Sequence, residues 1–139
     1  MTHSIKTNWK GDMVFSVKEP GGSISIDADE ASGGTGKGVS PKPLMLSALA
    51  GCTGMDVISL LKKMRAEVDD LIIEINAELT DEHPKYYNKV EVIYKFYAAE
   101  FKKDKIEKSV NLSVERYCGV MEMFRQFSEV TTDIQYFKK

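Results

Sequence analysis

Two hydrophobic rhythms divide the chain. The first part is cut into short runs, Ile5-Lys6-Thr7-Asn8-Trp9, Met13 to Val17, and Ser23-Ile24-Ser25-Ile26-Asp27. Lys10-Gly11-Asp12 and Glu19-Pro20-Gly21-Gly22 separate them. Alternating runs bounded by turn residues predict three short strands in an antiparallel meander. Later, Leu71 to Thr80 and Val90 to Phe96 alternate with period two, and the segment Asp81 to Asn88 between them, which contains Pro84, predicts a hairpin loop.

Between these strand regions the period changes. Ser40 suits an N-cap and Pro41 the first helical position, where a missing N–H costs nothing. A helix is predicted from about Pro41 to Arg65, roughly 35 Å long at 1.5 Å per residue. Its first half, Leu44 to Cys52, is apolar on nearly every side, so it must be buried all round. One chain of 139 residues has few elements with which to enclose it. A second copy is therefore expected to help, with Gly51 and Gly54 permitting close backbone approach. Asp104 is expected to open a second helix, with Glu107 as its capping-box partner and an apolar line of Ile106, Val110, Val114 and Tyr117. Gly119 should break or kink it. A short third helix from Val120 to Phe127 and a closing strand from Val130 to Phe137 complete the chain. The order βββ-α-ββ-αα-β is an α+β pattern, read as one domain over 1–139.

Composition narrows the function. With 42% hydrophobic and 29% charged residues and a net charge of -2, the chain reads as an ordinary globular protein without the basic face that nucleic acid requires. The stretch Met1 to Lys6 has no apolar leader region, and Leu44 to Met55 is interrupted by Ser47, Gly51, Thr53 and Gly54. Neither a signal peptide nor a membrane span is expected, and the cytoplasm is the expected compartment. The Gly-rich segment from Ala31 to Val39 does not make a phosphate loop: Ala31 stands where a Gly is required, and Gly38 follows Lys37 where Ser or Thr should hold a metal. It reads as a mobile surface loop. His3 and His83 have no third ligand at a useful spacing, so no metal site is expected. No Gly-x-Ser-x-Gly elbow supports a serine triad.

The chemistry that remains is sulfur. The chain has two cysteines, Cys52 and Cys118. On the helix, Cys52 shares a face with Asp56, Ser59 and Lys63, so it lies where an apolar half-helix meets a polar stripe. An ionised Asp56 beside it would raise a thiol pKa, so a reactive Cys52 would need a cation. Cys118 falls at the junction of two predicted helices. A sulfur at a helix N-terminus is biased toward thiolate, and Arg116 is two residues away. The plain alternative for both is packing, since free cysteines are often buried, with Cys118 beside Tyr117.

The run Ser40-Pro41-Lys42-Pro43-Leu44-Met45-Leu46-Ser47-Ala48-Leu49-Ala50-Gly51-Cys52-Thr53-Gly54-Met55-Asp56-Val57 resembles the central-helix motif of the OsmC/Ohr family. Ser113-Val114-Glu115-Arg116-Tyr117-Cys118-Gly119-Val120 resembles its second-cysteine motif, and the Ala-Gly-Cys-Thr-Gly-Met-Asp-Val run and the Tyr-Cys pair look most like the YhfA-like branch. The resemblance implies an OsmC-like fold, antiparallel sheets around a long central helix, in an intertwined homodimer. It further implies that Cys52 attacks a small apolar hydroperoxide and that Cys118 resolves the product as a disulfide. A lipoylated or thioredoxin-like dithiol partner would restore both thiols, with no metal or organic cofactor. The chain departs from the family at one point. Well-known members place a Glu ten positions before the first cysteine, paired with an upstream Arg. Here that position is Lys42, and no Arg precedes the helix. Lys10 and Lys42 are the substitute cations, each a point charge without the bidentate fork of Arg. This departure favours a second reading, an apolar-ligand-binding or redox-sensing protein on the same fold. Another dithiol or sulfur-transfer role is a third.

Sedimentation equilibrium at micromolar concentration is expected to give the mass of two chains. A mass of one chain would contradict the buried-helix argument.

Overall fold

The computed structural model describes residues 1–139. They form two compact units, 1–47 and 48–139.

In the first unit, β1 (Lys6–Trp9), β2 (Phe15–Glu19) and β3 (Gly22–Ile26) form the expected antiparallel meander in the order β1-β2-β3. The Gly-rich segment beyond β3 is anchored, contrary to the mobile loop expected. Asp27 is fully buried. Its carboxylate accepts from the Ala28 N–H at 2.8 Å, the Thr35 N–H at 2.9 Å, the Thr35 hydroxyl at 3.1 Å and the Lys37 N–H at 3.1 Å. Two glycines allow the chain to close on this carboxylate. A Cβ on Gly34 would overlap the Ala28 carbonyl oxygen, and one on Gly38 would stand 2.5 Å from the Ser25 oxygen. The Lys37 amide that tempts a phosphate reading is thus already engaged.

The helix α1 (Pro41–Lys63) matches its prediction to within two residues. Leu49, Thr53, Val57 and Leu61, spaced by four, are its buried positions. Read over its whole length, it is more apolar than the stretch Leu44 to Met55 suggested. Over 18 residues its mean hydropathy is 1.7, which satisfies the length and composition of a membrane span. The expectation that it is too short and too polar is corrected, because Val57, Ile58, Leu60 and Leu61 extend the apolar run.

In the second unit, β4 (Asp70–Leu79) and β5 (Tyr87–Ala98) pair antiparallel, and β6 (Glu129–Lys138) lies parallel to β5 on its other side. A parallel return needs a long crossover, and the two helices after β5 supply it. On β5 the period of two holds: Val90, Val92, Tyr94, Phe96 and Ala98 are buried, while the residues between them are not. They form a core with Leu49, Val57 and Leu61 of α1 and with Ile106, Val110, Met121 and Phe124.

The crossover departs from its prediction at both ends of α2 (Lys103–Leu112). Lys102, not Asp104, takes the cap position, without a side-chain bond. Its carbonyl accepts from the Lys105 and Ile106 amides. Asp104 falls in the first turn, where its charge suits the helix dipole, so the capping box does not form. At the other end, Ser113–Tyr117 is a single π-helical turn in which the Cys118 N–H donates to the Ser113 carbonyl at 2.9 Å. The wider turn rotates the residues at its end. Ile106 and Val110 are buried as expected, but Tyr117 is 53% exposed and Cys118 is turned inward. α3 (Gly119–Arg125) then begins, shorter than expected and with the break at Cys118, one residue before Gly119.

The hydrogen bonds to Asp27, the Thr35 amide first, hold its carboxyl below its ordinary value of 3.8. Its anchoring is therefore complete above about pH 4 and is lost as pH falls through the lower folded value. The Thr35 and Lys37 amide resonances should follow that titration, with a midpoint below 3.8. In Asp27→Ala both amides should exchange faster at every pH; unchanged protection would show that the glycines alone shape the loop.

Candidate functional site around Cys52 and Cys118

Thr53, one residue after Cys52, is wholly buried in an otherwise apolar stretch of α1 and must find partners for its hydroxyl. It finds two. The Thr53 Oγ1 lies 2.7 Å from the Tyr94 hydroxyl of β5 and 2.7 Å from the Ser113 Oγ at the start of the π turn. The Ser113 hydroxyl in turn donates to the Asp56 Oδ2 at 2.9 Å. A carboxylate only accepts, and each hydroxyl has one proton. The chain therefore runs one way: Tyr94 donates to Thr53, Thr53 to Ser113, and Ser113 to Asp56. Burial pushes the Tyr94 phenol up to about 12, against the lowering effect of its bond to Thr53, so it stays protonated as this order requires.

The two cysteines sit beside this chain. Both are free, Cys52 half-buried and Cys118 buried. Cys118 caps α3: its sulfur accepts from the Met121 N–H at 3.3 Å. The expected position at a helix N-terminus is found, but its expected electrostatic effect does not prevail. Burial first, then the neighbouring Cys52 thiol, push the Cys118 thiol up to about 12, and the Met121 amide offsets only part of this. The Asp56 charge adds to the rise at both Cys118 and Tyr94.

The residues singled out in the sequence separate into two sets. Cys52, Cys118 and Asp56 come together. Arg116 and Tyr117 do not join them. Both are exposed, with the guanidinium 5.9 Å from the centre of the Tyr117 ring. The π turn carries them to the surface, so neither acts on Cys118 in this chain. Lys10 and Lys42 belong to the first unit and are exposed there. Three residues of the site went unread: Thr53, Tyr94 and Ser113. Each had a signal. Thr53 is a polar residue in an apolar helix, Tyr94 sits at an inward phase of β5, and Ser113 continues the inward spacing of Ile106 and Val110.

Comparison with known proteins gives the family and the fold. The profile of the OsmC-like protein family matches residues 34–133. The chain belongs to the OsmC-like family. It is 30% identical over 95 residues to the protein YhfA of Escherichia coli K12, covering 68% of this chain and 71% of that one, in accord with the branch its motifs resemble. Among solved structures it resembles a hypothetical protein from Aquifex aeolicus VF5, with 27% identity, a TM-score of 0.88, and coverage of 100% and 98% of the two chains. The organic hydroperoxide resistance protein OhrB of Bacillus subtilis shares the fold at 19% identity and a TM-score of 0.67, covering 97% and 98%. The α+β class is thereby shown. The apolar α1 is the long helix of this OsmC-like fold, and its suitability for a bilayer by composition needs no membrane to explain it.

Thr53→Val keeps the side-chain shape and strips both neighbours of a partner. Urea unfolding should show a loss of about 1–3 kcal/mol. Tyr94→Phe removes only the terminal donor and should cost about 1 kcal/mol. A Thr53→Val loss no larger than that of Tyr94→Phe would contradict the central place of Thr53.

Proposed function

We propose that the chain is a thiol-dependent peroxidase that reduces small apolar organic hydroperoxides in the cytoplasm as a homodimer. One observation carries this reading: a half-exposed thiol, Cys52, stands beside a buried thiol, Cys118, that burial keeps protonated. That asymmetry suits an attacker and a resolver. The thiolate form of Cys52 attacks one peroxide oxygen and breaks the O–O bond; the other oxygen leaves as an alcohol after taking up a proton. Cys52 is left as a sulfenic acid. The Cys118 sulfur then displaces hydroxide, which leaves as water, and a Cys52–Cys118 disulfide forms. A dithiol reductant, lipoylated or thioredoxin-like, returns both thiols by exchange. No cofactor enters these steps.

The homodimer reading is supported by α1 itself. Only 22% of its apolar window is buried within one chain. Met55 and Ile58 are exposed at an open groove that Gly51, Gly54, Leu71 and Ile73 also line. Gly54 faces Ile73 of its own chain, where a Cβ would stand 3.0 Å from the Ile73 Cδ1, whereas a Cβ on Gly51 would meet nothing. The Gly51 side is thus open to a second copy.

A specific observation favours the alternative, an apolar-ligand-binding or redox-sensing protein. Near the thiols, Arg116 lies over Tyr117, and Arg125 is held by the Val114 carbonyl and Glu122. Neither Arg116 nor Arg125 is thus free to stabilise a Cys52 thiolate.

Free thiols counted after adding cumene hydroperoxide separate the two readings. Wild type should lose both thiols together. Cys118→Ser should over-oxidise at Cys52, and Cys52→Ser should react little. Wild-type thiols that survive excess hydroperoxide would overturn the peroxidase reading.

A further inference from the structure

The buried hydroxyl chain ends on a carboxylate that lies on the helix of Cys52. Asp56 is half-buried, one helical turn beyond Cys52 on the same face of α1. Its Oδ2 is held by Ser113, whose own position is fixed by Thr53. The backbone of Ser113 also takes the Cys118 amide, so one residue sets both the carboxylate and the second cysteine. The other oxygen, Oδ1, accepts no hydrogen bond from the protein. The Asp56 charge is felt at Cys118 and at Tyr94, and Cys52 is the remaining titratable neighbour of Cys118. No cation pairs with Asp56. A buried thiol that must become a nucleophile needs a base within the site, and Asp56 is the carboxylate tied through Ser113 to the Cys118 backbone.

We propose that Asp56 is the proton acceptor for Cys118 in closing the Cys52–Cys118 disulfide, with Ser113 as the positioning residue that aims it. The inference rests on the attacker-and-resolver reading of the two thiols. With a Cys52 sulfenic acid, the Cys118 S–H bond breaks and its proton passes to Asp56. The S–S bond forms as the S–O bond breaks, and the proton joins the departing hydroxide as water. With a Cys52 mixed disulfide, the same S–H proton goes to Asp56 and the departing group leaves as a thiolate. The Cys118 sulfur is oxidised and the electron pair of the broken bond leaves with that group.

The second case gives a test that needs no hydroperoxide and so stands or falls apart from the peroxidase reading. One equivalent of 5,5′-dithiobis(2-nitrobenzoate) per reduced chain should release thionitrobenzoate in two phases. The first reports attack by Cys52, the second attack by Cys118 on the Cys52 mixed disulfide, and Cys118→Ser should show the first alone. Asp56→Asn keeps an acceptor for Ser113 and removes the base. Its second phase should slow about 100-fold, a typical general-base contribution, with the first phase unchanged or faster. Asp56→Glu should restore much of the second phase, which a purely structural role would not give. Ser113→Ala leaves the carboxylate but not its aim, and should slow the second phase by less. Asp56→Asn phases that slow together, a second phase within threefold of wild type, or a wild type without a second phase would overturn the proposal.

Discussion

The Thr53 hydroxyl is the point on which the second unit of this structure turns. It is a buried polar group on an apolar helix, and leaving it unpartnered would cost more than its two hydrogen bonds return individually. Satisfying it fixes three elements at once: α1, β5 through Tyr94, and the end of α2 through Ser113. Because Cys52 precedes Thr53 and the Ser113 carbonyl takes the Cys118 amide, the same constraint brings the two thiols together from positions far apart in the chain. The apolar packing of Leu49, Val57, Phe96 and Ile106 supplies the general attraction between these elements, but it is non-directional. The hydroxyl chain supplies the register.

The π turn is the second half of this arrangement. A regular α-helical continuation would have kept Tyr117 on the line of Ile106 and Val110. The widened turn sends Tyr117 and Arg116 to the surface and Cys118 into the interior, where it caps α3. Single π turns recur at functional sites, and this one makes the two thiols unequal. One can be reached, and the other is held protonated by burial. The helix terminus at Cys118, which by itself would favour thiolate, is outweighed by desolvation.

Much of the fold could be read from hydrophobic rhythm. The meander, α1 and the long β4–β5 hairpin arise from turn residues, from the Ser40-Pro41 start and from period-two alternation, all local signals. The features that escaped depend on contacts the sequence order hides. Nothing near Asp27 announces that its carboxylate will gather the amides of Thr35 and Lys37. The π turn has no signature in Ser113-Val114-Glu115-Arg116-Tyr117, so regular helical spacing placed Tyr117 on the inward line, where the structure turns Cys118 inward instead. Asp104 and Glu107 had the spacing of a capping box, yet the Lys102 carbonyl opened the helix earlier. At the site, the cysteines and Asp56 were legible as candidates because one helix carries Cys52 and Asp56. Thr53, Tyr94 and Ser113 were not, since their meaning lies in pairings across the fold.

The thiol chemistry is most directly tested by intact-mass and peptide mapping of the reduced wild-type protein after one equivalent of cumene hydroperoxide. A chain lighter by two hydrogens, with the Cys52 and Cys118 peptides joined, is the expected product. A chain of unchanged mass, or one that carries added oxygen with the two peptides still separate, would contradict it.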